Sequence, residues 1–186
     1  FIDFEFNRKQ GIETELEDMP IFHAIETYKA LCQKLRNDGI VELNTQKDIN
    51  PILKTLTPEQ QNYFRFLFGR RKVKGTGAFY TFRTDNPLLL YAIGDPRKSQ
   101  ADILKDVRIF LKSQIEAFQK APTGRSAPIK DPSEFEPYFK VLEAYLYYYQ
   151  SDTLKTEDIT LLLDGLKHFA TTGQDLPKQE QTEEEE

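Results

Sequence analysis

The sequence lacks tryptophan and contains only one methionine and one cysteine. A lone cysteine, Cys32, can form neither an internal disulfide nor a zinc site of several cysteines, and this usage is typical of a reducing compartment. The longest apolar run covers only residues 88–93, far short of the ~20 residues that a membrane-spanning helix needs. Residues 1–7 mix Asp3 and Glu5 with apolar side chains, unlike a secretory signal. We therefore expect a cytoplasmic protein that does not enter a membrane.

An excess of negative charge is confined to the C-terminal end. The formal net charge is −5, and five glutamates near this end account for it: Glu180, Glu183, Glu184, Glu185 and Glu186. The remaining chain is formally neutral. Residues 174–186 are polar, acidic and almost without apolar side chains, so we predict a disordered acidic tail. The length of the rest favours one domain over residues 1–173.

Helical periodicity dominates that domain, and the predicted fold class is mainly α, a single-domain helical bundle. Apolar residues spaced three and four apart predict helices over residues 20–36, 99–120 and 156–170, with a shorter one over 45–56. Thr57 and Gln60 form a capping-box pattern for a helix that ends near Phe68. Ser133 and Glu136 suggest the same start for a helix over 134–150, and Thr156 is the expected cap of the last helix.

Two segments favour strands. Residues 1–7 alternate apolar and acidic side chains, which predicts a short N-terminal strand. Residues 79–82 and 88–93 flank a turn-rich linker and could form a small β-hairpin. The alternative is two short helices, the second capped by Asn86 with Pro87 in its first turn. The pattern slightly favours the hairpin.

Groups that could carry catalysis are few. Asp3 and Glu5, two residues apart on one strand face, could hold a divalent cation and resemble the first metal-binding motif of DEDD exonucleases, but the rest of that pattern is missing. Neither His23 nor His168 belongs to a metal-ligand pair. We predict no catalytic residue, no metal and no cofactor. An enzyme would need a site built from scattered carboxylates such as Asp3, Glu5 and Asp95.

The most informative stretch is the segment 60–84, which contains cations, aromatic residues and three glycines but no acidic residue. Cations that pair with phosphates and aromatic rings that stack on bases are typical of single-stranded nucleic-acid binding. The candidate nucleic-acid-binding residues are Arg65, Arg70, Arg71, Lys72, Lys74, Tyr80 and Arg83. The other interpretation is a solvated basic loop after a helix whose aromatic residues belong to the core.

The helix predicted over 134–150 is unusually rich in tyrosine. Its aromatic face is broader than a surface helix of a small domain usually buries, which favours contact with another protein. The candidate partner-binding residues are Tyr145, Tyr147, Tyr148 and Tyr149. The other interpretation is a central helix that is surrounded by its own chain on all sides.

Two segments resemble a known family. The pattern F-x-x-Y-F-x-x-L-E-A-Y-L-x-Y-Y, from Phe135 to Tyr149, resembles the closing helix of the small helical subunit of type III CRISPR effector complexes. The stretch YFRFLFGRRK, from Tyr63 to Lys72, is similar to that family's aromatic and Gly-Arg segment. This chain is longer and adds a helix after the first motif. The resemblance implies a non-catalytic subunit that stacks along the complex and contacts nucleic acid through basic residues.

These observations lead to two hypotheses. The first is a non-catalytic helical subunit of a larger assembly, with other protein subunits and RNA or single-stranded DNA as partners. Phosphates would then be contacted by Arg70, Arg71, Lys72 and Lys74. Tyr63 or Tyr80 would stack on a base. The second is a protein-interaction adaptor that docks through the helix 134–150 and binds no nucleic acid.

Overall fold

Helices form most of the fold and surround one small sheet. The computed structural model describes residues 20–72, 79–120, 129 and 131–175. The elements within these ranges are, in chain order, α1 Pro20–Asn37, β1 Glu42–Leu43, a π-helical turn Thr45–Ile49, α2 Asn50–Leu53, α3 Pro58–Phe68, β2 Gly69–Lys72, β3 Phe79–Arg83, α4 Pro87–Ile93, α5 Gln100–Lys120, a 3₁₀ turn Pro132–Phe135, α6 Glu136–Tyr148 and α7 Thr156–Thr172. The predicted mainly α class is confirmed.

Side-chain caps and glycine define two of the helix ends. The start of α3 is the one for which the sequence predicted a capping box. The Thr57 hydroxyl accepts a hydrogen bond from the Gln60 amide at 3.2 Å, and the Gln60 side chain accepts one from the Thr57 amide at 3.1 Å. This reciprocal pair is the capping box at the start of α3. Past the end of α1, Gly39 has a φ of 78°, a conformation that glycine adopts without steric cost.

Two predicted caps are wrong. Ser133 does not cap α6: Asp131 accepts a hydrogen bond from the Ser133 amide at 3.0 Å and starts the 3₁₀ turn before the helix. The short aspartate side chain reaches an amide two residues ahead, and Pro132 favours the first position of such a turn. Thr156 lies inside α7, whose N-cap Lys155 makes no capping hydrogen bond through its side chain.

The short helix predicted over residues 45–56 is interrupted. A π-helical turn capped by the Asn44 side chain covers Thr45–Ile49, and α2 follows at Asn50. Pro51 lies in the first turn of α2 and has no amide hydrogen to continue the earlier turn. Helical structure therefore occurs where it was predicted, but as two short pieces and not as one helix.

The hairpin predicted from residues 79–93 is half wrong. The strand β3 exists, but its partners are β2 and β1, which give an antiparallel sheet in the order β1-β3-β2. Residues 87–93 form α4 instead of a strand. The Asn86 side chain accepts hydrogen bonds from the amides of Leu88, at 2.9 Å, and Leu89, at 3.4 Å, and Pro87 occupies the first turn. The alternative interpretation of this run is the correct one.

The helix α6 lies at the centre of one hydrophobic cluster that the described helices share. Leu142 and Leu146 are fully buried. Two tyrosine hydroxyls link α6 to α4: the Tyr145 hydroxyl donates to the Leu88 carbonyl at 2.5 Å, and the Tyr91 hydroxyl donates to the Leu146 carbonyl at 2.6 Å. These bonds satisfy polar groups that burial would otherwise make costly.

Some predictions concern residues outside the described ranges. They are the N-terminal strand over 1–7 and the acidic tail from residue 176 onward. Within the described residues, no helix is long and apolar enough to cross a membrane.

The last described residue, Asp175, is held by two cations of α5. Its carboxylate lies 2.7 Å from the Lys112 ammonium and 3.2 Å from the Arg108 guanidinium, and the hydrogen bond from Lys112 is the main reason that the pKa of Asp175 is lowered. We expect Asp175→Asn to lower the free energy of unfolding by no more than about 1 kcal/mol, because all three side chains remain partly exposed. Urea denaturation would measure this change. A loss of several kcal/mol would show that the start of the tail stabilises the domain.

Candidate nucleic-acid interface

The basic run of the chain forms an edge strand that starts where a core helix ends. Gly69 is both the C-cap of α3 and the first residue of β2, and its extended backbone turns the chain directly from helix to strand. β2 then pairs with β3, with Arg70 opposite Thr81, Arg71 opposite Tyr80 and Lys72 opposite Phe79. The three consecutive cations therefore lie on a short strand that is joined to the core without a linker.

A buried glutamine of α5 fixes this helix-to-strand junction. Gln114 is 2 % exposed, and its amide nitrogen lies within hydrogen-bond distance of three carbonyl oxygens: Arg65 at 3.0 Å, Phe66 at 2.8 Å and Gly69 at 2.5 Å. The Arg65 carbonyl also accepts the Gly69 amide hydrogen. The last carbonyls of a helix lack a partner within the helix, so the buried carbonyls of Phe66 and Gly69 need an external donor. We did not predict this role. The signal available was a polar residue inside the apolar stripe of the helix.

Arg70 and Arg83 line the same pocket, which opens between the sheet and α5. Its volume is about 320 Å³, and its lining residues are Phe68, Arg70, Thr81, Arg83, Asp85, Asn86, Pro87 and Phe110. Phe68 and Asn86 are buried, whereas Arg70 is exposed. The pocket thus combines an apolar side with hydrogen-bonding and charged groups.

The two arginines of this pocket differ in their surroundings. Arg83 forms a two-bond ion pair with Asp85, from Nε to Oδ1 at 2.9 Å and from Nη2 to Oδ2 at 3.1 Å. The hydrogen bonds from Arg83 lower the pKa of the Asp85 carboxyl, so that the pair is ionised at neutral pH. Arg70 makes no ion pair with any residue that the structure describes. The charge of Arg70 is consequently the more available of the two.

The other predicted nucleic-acid-binding residues lie on α3, on the two paired strands or outside the described ranges. Arg65 lies on α3, is half-buried, and its guanidinium is 3.4 Å from the Asn62 side-chain oxygen. The backbones of Arg71, Lys72 and Tyr80 belong to the paired strands. Lys74 lies outside the described residues.

Most aromatic residues of the segment 60–84 belong to the core. The buried ones are Tyr63, Phe64, Phe66, Phe68 and Phe82. The prediction that Tyr63 could stack on a base is wrong, because its ring packs edge-to-face on Tyr138 at 4.9 Å between centroids and its hydroxyl donates to Glu59. For these five residues the core interpretation holds. Phe64 and Phe82 contact Tyr28 of α1, and Phe66 contacts Phe118 of α5 and Tyr138 of α6.

The tyrosines proposed as a partner-binding face are engaged within the chain. Tyr145 and Tyr147 are buried, and the Tyr147 hydroxyl is 3.4 Å from the Thr160 hydroxyl. Tyr148 packs edge-to-face on Phe22 at 4.7 Å between ring centroids. The Tyr149 hydroxyl donates to Glu26, and the Lys29 ammonium lies 4.9 Å from the centre of the same ring. The burial of Tyr145 and Tyr147 favours the central-helix interpretation for these two residues. Tyr148 and Tyr149 are half-buried, and their role in a docking face stays a prediction.

The described residues were considered as possible metal ligands, nucleophiles and catalytic acids. They contain no group of three histidine, cysteine or acidic side chains that could hold a metal ion. Cys32 is buried, and this burial raises the pKa of its thiol to about 12. Asp95 accepts hydrogen bonds from the backbone and side chain of Arg97. Asp3 and Glu5 lie outside the described residues.

A second, larger cavity of about 530 Å³ lies between α6 and α7. Its charged lining residues are Glu136, Lys140, Glu143 and Lys167, two of each sign. Lys140 and Glu136 pair with each other at 3.8 Å, and both are largely exposed. The cavity therefore has no charge bias towards either sign, in contrast to β2.

Comparisons with protein-family models, with curated proteins and with solved structures find no match to this chain. The resemblance to the small helical subunit of type III CRISPR effector complexes stays a prediction.

Proposed function

We propose that this chain is a non-catalytic helical subunit that binds single-stranded nucleic acid along β2. The observation that supports the proposal is the edge strand Gly69–Lys72, on which Arg70 is exposed and without an ionic partner among the described residues. Phosphate contacts from such cations release condensed counterions and supply most of the affinity for a single strand. The strand therefore provides a phosphate-binding track.

The charge distribution supports the same proposal. Outside the terminal glutamates the chain is formally neutral, so the three adjacent cations at positions 70–72 are a local excess of positive charge in the sequence and not part of a general one. Arg83 adds less, because Asp85 already neutralises it. We infer that Arg70, Arg71 and Lys72 make the main phosphate contacts, with Arg83 in a secondary role.

Membership of a larger assembly is the less supported part of the proposal. It rests on the family resemblance, which also implies contacts with other protein subunits. The adaptor alternative required the tyrosines of α6 to be accessible, and these tyrosines have internal partners. We therefore propose nucleic acid and not a protein alone as the ligand. A cytoplasmic location remains a prediction from cysteine usage.

The test measures binding of fluorescently labelled single-stranded RNA and DNA at several salt concentrations. We expect Arg70→Ala, Arg71→Ala and Lys72→Ala together to weaken binding and to reduce the slope of log affinity against log salt by about 2, at ~0.7 per lost phosphate contact. Asp85→Asn should act in the opposite direction, because it removes a negative charge and releases Arg83. Affinity should then rise at low salt.

Lys140→Ala is the matched control for removal of a cation. Lys140 is largely exposed and lies on α6, away from the pocket that contains Arg70. Its replacement should leave affinity and salt slope unchanged. If the unaltered protein shows no salt-dependent binding to either nucleic acid at micromolar concentration, the proposed function is wrong. Equal losses in the Lys140 variant and the triple variant would also contradict it.

A further inference from the structure

The pocket beside Arg70 has a chemically mixed lining. Three of its residues are apolar and come from three elements: Phe68 at the end of α3, Pro87 at the start of α4 and Phe110 on α5. The polar lining includes Thr81, Arg70 and the ion pair of Arg83 with Asp85. Because Asp85 is paired with Arg83, the charge of Arg70 is the one left for an anionic group. The mixed lining suits a group with an apolar face and a polar edge.

Phe110 is an apolar lining residue whose ring keeps part of its surface exposed. Phe68 is 1 % exposed and belongs to the core, whereas Phe110 is half-buried and packs against the core with only part of its surface. On α5 it follows Ile109, whose side chain is 68 % exposed. Phe110 is thus placed at the boundary between core and solvent, where one ring face or edge can be covered by a ligand.

The size of the pocket limits what it can hold. A volume of about 320 Å³ lies at the lower end of the range of roughly 300–1,000 Å³ for small-molecule sites. It fits one small planar group and excludes a bulky or folded one. Nucleic-acid bases have an apolar face that stacks on aromatic side chains and a polar edge that forms hydrogen bonds.

We propose that this pocket takes one unpaired base of the bound strand. The base stacks against Phe110, and the phosphate next to it lies on Arg70. The Thr81 hydroxyl donates to the Arg70 carbonyl at 3.1 Å, so its oxygen accepts a hydrogen bond from the polar edge of the base. This proposal rests on the proposed function, because the pocket opens beside the phosphate-binding strand. It adds a base-binding subsite that contains a residue of α5, about forty positions further along the chain.

The test compares two labelled oligomers of about 12 nucleotides, within the site sizes known for single-strand binding proteins. One is an oligoadenylate, and the other has the same phosphates but no bases. Phe110→Leu keeps an apolar side chain at the boundary but removes the ring. We expect it to weaken binding of the oligoadenylate by about 5- to 150-fold, the range that corresponds to one stacked base, and to leave the baseless oligomer unaffected.

Two further variants make the result specific. Phe110→Tyr retains the ring and should bind the oligoadenylate as the unaltered protein does. Ile109→Ala removes an exposed apolar side chain from the neighbouring position and should change neither affinity. Thermal melting of each variant would show that all are folded. The salt slope should be the same for the Phe110→Leu variant and the unaltered protein, because no phosphate contact is lost.

The outcomes separate this subsite from the phosphate track. If a folded Phe110→Leu variant binds the oligoadenylate as tightly as the unaltered protein, the base subsite is wrong while the proposed function stands. The same holds if both oligomers bind equally well to the unaltered protein. If neither oligomer binds, the proposed function fails, and the subsite fails with it.

Discussion

Replacing Phe66 with alanine should lower the free energy of unfolding by about 3–5 kcal/mol, the usual cost of truncating a buried phenylalanine. Phe66 has no solvent exposure, and three aromatic rings surround it: Phe118, Phe135 and Tyr138, with centroids 5.3–6.1 Å away. The truncation removes these contacts and leaves a cavity that the neighbouring helices α5 and α6 can fill only in part. Urea denaturation followed by circular dichroism would measure the change.

Ile109→Ala is the control for this truncation. Ile109 is apolar but 68 % exposed, so its replacement should cost less than about 0.5 kcal/mol. The comparison decides which role the aromatic residues of the segment 60–84 have. If Phe66→Ala is as stable as the unaltered protein but binds nucleic acid less well, Phe66 is a ligand contact and its assignment to the core is wrong.

Gln114→Met should cost about 2–4 kcal/mol, because it keeps the approximate shape of the side chain and removes the donor for the Phe66 and Gly69 carbonyls, whose hydrogen bonds to Gln114 are buried. Leaving a buried acceptor without its partner costs ~1–3 kcal/mol. The Gly69 carbonyl belongs to the first residue of β2, so this variant should also weaken nucleic-acid binding by loosening the strand. Denaturation and salt-dependent binding would be measured on the same preparation.

Gln119→Met provides the matched control on the same helix. Gln119 is half-buried and donates one hydrogen bond, to the Ala170 carbonyl at 3.0 Å. We expect its replacement to cost about 1 kcal/mol or less, in line with the net value of one hydrogen bond, and to leave binding unchanged. If the two methionine variants were equally stable, the hydrogen bonds from Gln114 would not be the reason that the junction is ordered.

The long helices could be predicted because their signals are local. Apolar spacing identified α1, α5 and α7, and the capping box at Thr57 is contained within four residues. The strand β2 could not be predicted from its own residues, since Gly, Arg, Arg and Lys have no strand pattern. Its conformation comes from pairing with β3 and from the support of Gln114, a residue 45 positions away from Gly69.

The candidate site was predictable in part. The clustering of cations in the chain identified Arg70 and Arg83, which the fold brings to one pocket. The role of the aromatic residues was not predictable, because a ring that packs in a core and a ring that stacks on a base have the same sequence signature. Phe110 lies in the helix predicted over residues 99–120, and helical spacing alone does not place it at a pocket. That position depends on the tertiary arrangement of α5 and the sheet.

The direct connection between α3 and β2 affects how much conformational entropy the chain would lose on binding a ligand. No flexible residue separates the buried helix from the strand that carries Arg70, and α5 holds the joint from the other side. Pairing with β3 and the hydrogen bonds from Gln114 restrain the backbone at this junction. We therefore expect association to cost little backbone entropy, so that this strand retains more of its contact energy than a flexible basic tail of the same charge.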